Sequence, residues 1–159
     1  MAGWPSKYWP PQLLKAALAS LPRPWVLTNG VFDLLHRGHV QYLQEARQLG
    51  ATLIVAVNSD ASAKLLGKGP DRPLNPDVDR VWVLSALTDV SLLTTFDEPT
   101  PLRLLELIRP DVYVKGGDYD MSELHESRLM ATWGGRSLSL GYLRGRSTTR
   151  LVERIRQGT

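Results

Sequence analysis

Apolar positions change period repeatedly along the chain. From Trp25 onward, short unbroken apolar runs alternate with stretches in which apolar residues recur every three or four positions. The runs WVLT (25–28), TLIVAVN (52–58), VSLLTTF (90–96) and DVYVK (111–115) have the length and β-branched content of buried strands, and RSLSL (136–140) is read as a further strand. Between the first two, Val40, Leu43, Ala46 and Leu49 sit at helical spacing within 36–49, and Gly50 follows as a stop. Ser59-Asp60 can cap a helix over 61–66, and further helices are predicted over 77–87, 101–108, 121–133 and 148–157. The Gly- and Pro-rich stretch 67–76 and the segment 116–120 read as loops.

Strands separated by helices need crossovers, which place them in parallel with both faces of the sheet covered. The pattern therefore predicts an α/β domain over 25–159, a single doubly wound parallel five-stranded sheet. Residues 1–24, with Trp4, Tyr8, Trp9 and a set of prolines, are predicted as an arm around a short helix over 12–21. Its aromatics pack either on the domain or on a partner subunit; a partly ordered leader is the other reading. In such sheets ligands bind beyond the carboxyl ends of the strands, so chemistry is expected just after them.

Composition narrows the classes. A chain of 159 residues suits one domain, and the absence of Cys excludes disulfides and thiolate metal sites. No apolar stretch approaches the roughly 20 residues that span a bilayer. With no leader-like start, a soluble, cytoplasmic protein is expected. The net charge of +3 is mild for a nucleic-acid binder. Arginines crowd the C-terminal end, but Tyr142 is the one aromatic near them.

Four segments carry candidate chemistry. In TNGVFDLLHRGHVQYL (28–43), Thr28, Asn29 and Gly30 end a strand, and Gly30 lets a ligand approach the backbone. Asp33 is a carboxylate at the sheet edge, able to hold a hydroxyl or a metal. His36 and His39 share a face of a first helical turn, where cations oppose the positive end of the helix dipole. An anion offsets that opposition, and Gly38 lets a phosphate come close. Helix-capping surface histidines, or a zinc pair completed by His125 or a carboxylate, are the other readings. In the second segment Lys68 and Arg72, followed by Arg80, suit phosphates that arrive and leave; an ordinary mobile loop is the alternative. Lys115, Gly116, Gly117 and Asp118 form the third, where a simple turn would also explain the glycines. Ser147, Thr148 and Thr149, between Arg146 and Arg150, form a second phosphate cradle or a plain helix cap. The P-loop, the dinucleotide G-x-G-x-x-G and the G-x-S-x-G elbow do not occur.

HRGH (36–39) resembles the H-x-G-H signature of the nucleotidylyltransferase superfamily, and GRSTT (145–149) resembles the C-terminal motif of its cytidylyltransferase-like branch. VNSDAS (57–62) and VKGGDY (114–119) bring the likeness closer to the heptose 1-phosphate adenylyltransferases, over about 25–155. The resemblance implies a Rossmann-like nucleotidylyltransferase fold. It implies transfer of AMP from ATP to D-glycero-β-D-manno-heptose 1-phosphate, in ADP-heptose and lipopolysaccharide synthesis. Mg²⁺ would arrive with ATP, no metal would be held by the protein itself, and the protein would be a homodimer with no nucleic-acid or membrane partner. By the same resemblance His36, His39 and Lys115 form the catalytic set. Thr28, Asn29, Gly30, Phe32, Gly38, Lys68 and Gly116 line the nucleotide, and Ser147, Thr148 and Thr149 hold its outer phosphates. Asp33, Arg72, Arg80, Gly117 and Asp118 meet the sugar phosphate. A cytidylyltransferase for glycerol 3-phosphate or a similar alcohol phosphate, and a non-catalytic nucleotide-binding module, fit the same residues.

Overall fold

A computed structural model describes residues 3–67, 69–141 and 148–158. After a 3-10 turn, Pro11–Leu13, come α1 (Leu14–Leu18), β1 (Trp25–Gly30), α2 (Arg37–Arg47), β2 (Thr52–Asn58), α3 (Asp60–Leu65) and α4 (Asp77–Ser85). Then follow β3 (Leu92–Phe96), α5 (Leu102–Ile108), β4 (Val112–Gly116), α6 (His125–Ala131), β5 (Arg136–Leu140) and α7 (Thr148–Gln157). The strands form one parallel sheet in the order β3-β2-β1-β4-β5. The chain thus winds outward from β1, returns, and winds out the other way, as the alternation of periods predicts.

Side chains alternate between two apolar layers. Val26, Leu53 and Val55 face the layer shared with Leu43 of α2 and Leu84 of α4, whereas Leu27, Ile54 and Tyr113 face Leu105 of α5 and Met130 of α6. β2 lies between β1 and β3 and is buried at every position, which explains its unbroken apolar run.

The N-terminal segment packs on this domain rather than standing apart from it. Tyr8 bridges Leu93 in parallel, with Trp9 N–H donating to Leu93 O (2.8 Å) and Leu93 N–H to Lys7 O (2.8 Å). Trp4 stacks on Tyr8 at 3.9 Å, and Leu14, Ala17 and Leu18 enter the core. These contacts cover the β3 edge of the sheet, which would otherwise offer unpaired backbone groups.

Two helices differ from their predicted form. The buried stripe of α2 is Gly38, Tyr42 and Ala46 with Leu43 beside it, and Val40 is 42% exposed. The stripe is rotated because the Tyr42 hydroxyl reaches the backbone of β4, donating to Val114 O at 3.2 Å. The helix predicted over 121–133 is split. Asp120 accepts from the N–H and hydroxyl of Ser122, stabilising a 3-10 turn over Met121–Glu123, and Leu124 is extended before α6 begins.

Candidate active site

The strand order reverses between β1 and β4, and a cleft of about 570 Å³ opens beyond their carboxyl ends. Asn29 and Gly30 from β1, His39 from α2, Lys115 and Gly116 from β4, and Thr148 and Thr149 from α7 all line it. The Thr148 hydroxyl donates to Leu34 O at 3.2 Å, tying the tip of α7 to the loop that leads into α2. Two helix N-termini, each carrying the partial positive charge of a helix dipole, therefore meet at one space.

His36 is the N-cap of α2, in extended conformation, and its ring stacks on His39 at 3.9 Å. Phe32 meets His39 edge-on at 5.5 Å and holds a left-handed backbone (φ 52°). A Cβ on Gly30 would lie 3.0 Å from the Phe32 ring. Gly30 thus makes room for the ring that backs His39, besides lining the cleft. Gly38 is buried in the first turn of α2. Asn29 is fixed by Tyr113, whose hydroxyl donates to Asn29 Oδ1 at 2.7 Å. Burial pushes the Tyr113 phenol far up, so it stays a neutral donor. On the opposite wall, Lys115 Nζ lies 3.7 Å from Glu126 Oε1 and 4.8 Å from the centre of the Tyr119 ring.

Several residues expected at the ligand stand elsewhere. Thr28 is fully buried and its hydroxyl bonds the Tyr42 hydroxyl, because alternation along β1 turns it toward α2 while Asn29 faces the cleft. It fastens α2 to the sheet. Arg80 does not reach the cleft, for its side chain has no exposed surface. Its Nη1 donates to Val31 O (2.6 Å) and Asn58 O (2.8 Å), its Nε to Asn75 O (3.0 Å) and its Nη2 to Asp60 Oδ1 (2.8 Å). Carbonyls just beyond β1 and at the end of β2 need donors, and the planar guanidinium supplies them.

Asp33 and Arg72 border the cleft but bind each other. The Asp33 carboxylate accepts from Arg72 Nη1 (2.7 Å) and from the N–H groups of Leu74 (2.8 Å) and Asn75 (3.0 Å). Burial pushes its carboxyl up, but these donors outweigh burial and hold it below the ordinary carboxylate value. Its role is first to hold the 72–75 loop, not to wait for a hydroxyl or metal. Gly117, at φ 121°, turns the chain out of β4, and Asp118 is exposed; neither lines the cleft. Lys68 and Ser147 lie outside the described residues. Among the described residues, no three His, Cys, Asp or Glu side chains group to hold a metal, and His125 is exposed at the start of α6.

Tyr42, Tyr113, Tyr119 and Glu126 are functional neighbours that sequence reasoning missed. Tyr42 follows Gly38 by four residues, which is the available signal. Glu126 has none, since the break at Leu124 resets the helical phase.

Residues 27–154 match the model of the cytidylyltransferase-like family. The chain belongs to that family. Among its relatives, the D-beta-D-heptose 1-phosphate adenylyltransferase of Bordetella bronchiseptica is 57% identical over 147 residues, 91% of each chain. The bifunctional protein HldE of Streptomyces coelicolor is 55% identical over 133 residues, 84% of this chain and 28% of HldE. Among solved structures, the lipopolysaccharide core biosynthesis protein from Thermoplasma volcanium superposes with a TM-score of 0.64 at 27% identity, covering 77% of this chain and 98% of that one. The pantoate-beta-alanine ligase of Francisella tularensis (TM-score 0.62, 12% identity, 91% and 71% covered) shares the fold. Within the cytidylyltransferase-like domain, the cleft uses both motifs the family resemblance rests on: His39 comes from one, and Thr148 and Thr149 from the other.

Proposed function

We propose that the protein transfers the AMP moiety of ATP to D-glycero-β-D-manno-heptose 1-phosphate, giving ADP-heptose and pyrophosphate. The observation that carries the chemistry is the meeting of the α2 and α7 tips at one cleft. The 57% identity to a heptose 1-phosphate adenylyltransferase along nearly the whole chain supports the choice of substrate.

A phosphate monoester has its second pKa near about 6, so at neutral pH the acceptor is already largely a dianion. It attacks the α-phosphorus in line. The new oxygen–phosphorus bond forms as the bond to the β-phosphate oxygen breaks, and pyrophosphate leaves with the electron pair. No protein base is needed to make the nucleophile. The work left to the protein is positioning and charge stabilisation. His36, His39 and Lys115 stabilise charge at the α-phosphate, while Thr148, Thr149 and the α7 N-terminus hold the leaving phosphates. ATP enters as its magnesium complex, the ion held largely by phosphate oxygens and water.

The test is a pyrophosphate-release screen with ATP and CTP against heptose 1-phosphate, glycerol 3-phosphate and other sugar and polyol phosphates. Fastest turnover with ATP and heptose 1-phosphate is expected. A preference for CTP and an alcohol phosphate would select the cytidylyltransferase reading, and nucleotide binding without turnover would select the non-catalytic one. No helix among the described residues is long and apolar enough to cross a membrane. We place the enzyme in the cytoplasm, and we expect a homodimer, which light scattering on the purified protein checks.

A further inference from the structure

We propose that Glu126 reads a hydroxyl pair on a sugar ring bound in the cleft. Its side chain is 9% exposed, and it lines the cleft beside Lys115. The Lys115 ammonium, at 3.7 Å, is beyond hydrogen-bond distance, and no other donor among the described residues reaches the carboxylate. A carboxylate accepts at up to about four lone-pair sites, so Glu126 has acceptor capacity open to a ligand.

The other cleft carboxylates differ. Asp33 is filled by Arg72 and two backbone N–H groups. Asp71 pairs with Arg156 in an exposed bridge, and Glu153 is exposed on α7. A buried negative charge opposes phosphates and is favourable in a cleft for polyanions only when donors meet it. Sugar hydroxyls are donors; phosphate oxygens are not. Tyr119, 47% exposed on the same wall, adds an apolar face against which the C–H edge of a sugar ring can lie. Two substrates of the proposed reaction carry such hydroxyls, the ribose of ATP and the acceptor sugar, so the inference rests on that reading of the cleft.

The experiment removes hydroxyls one at a time. Wild type and Glu126→Gln are assayed with ATP, 2′-deoxy-ATP and 3′-deoxy-ATP. They are also assayed with the acceptor phosphate that the screen selects and with its single-position deoxy analogues. Deletion of either hydroxyl of the pair should cost wild type roughly tenfold or more in kcat/KM and cost E126Q about threefold or less, as expected for a hydrogen bond to a charged group. Whether that pair lies on ATP or on the acceptor identifies the sugar. Equal penalties in both proteins overturn the proposal, even if E126Q is slower overall, since Glu126 would then act through Lys115 alone. Should E126Q fail to fold by circular dichroism, Glu126→Asp gives the same comparison through its shorter reach. Wild-type turnover with heptose 1-phosphate tests the parent reading separately.

Discussion

Arg80 and Lys115 stand at the carboxyl edge of one sheet and have opposite surroundings. Arg80 on α4 has no exposed side-chain surface and donates to three carbonyls and Asp60. Lys115 at the end of β4 keeps 24% of its side chain exposed and lines the cleft between Glu126 and Tyr119. The difference lies in donor geometry. A planar guanidinium can answer several carbonyls that converge from different elements, whereas a single ammonium cannot span them. A cation near the cleft motifs can therefore serve the scaffold, and the number of unanswered carbonyls around it decides.

Breaking the scaffold side should have the largest effect. Arg80→Met leaves the Val31, Asn58 and Asn75 carbonyls without this donor and Asp60 without its partner. It should cost roughly 3–5 kcal/mol of stability, lowering Tm by about 10 °C in a thermal melt. A variant as stable as wild type would reverse the comparison. On the ligand side, His39→Ala should lower kcat at least roughly tenfold while Tm stays within about 2 °C. Wild-type turnover would remove His39 from the chemistry.

Asp33→Asn lies between the two, since Asp33 borders the cleft but holds a loop. It should cost roughly 1–3 kcal/mol at pH 7. The folded pKa is depressed, so the carboxylate contributes stability above its unfolded value and loses it as pH falls through the folded one. Melting curves of wild type and variant should therefore converge as the pH drops below about 4. Thr148→Ala should raise KM for ATP by about three- to fivefold, with less change for the acceptor, in initial-rate assays. Equal weakening of both would deny the α7 tip a triphosphate role. Arg156→Ala breaks the bridge to Asp71, whose side chains are 67% and 69% exposed. Chemical denaturation should show a change within about 0.5 kcal/mol.

Much of the fold was legible because strand and helix leave different apolar periods. The strands at 52–58 and 136–140 and the helix at 148–157 have the predicted limits. The site was legible where a motif sits at an element's end: Asn29 and Gly30, His39, Lys115 and Gly116, and Thr148 and Thr149 all reach one cleft. It was illegible where orientation depends on a partner far along the chain. Asp33 is engaged by residues near position 73, and Thr28 by Tyr42. The helix predicted across 121–133 failed because the Asp120 carboxylate competes for the local N–H, which apolar spacing does not register.

Local pattern alone determined that this chain forms a five-stranded parallel sheet with polar motifs at the helix tips beyond it, since burial period and end chemistry are properties of neighbouring residues. The tertiary structure alone decided which polar groups those tips leave for a ligand. Hydrogen-bond capacity is finite, and each donor or acceptor taken by the scaffold is removed from the cleft. Arg80 and Asp33 are taken in that way, whereas Lys115 and Glu126 remain at the wall of the cleft.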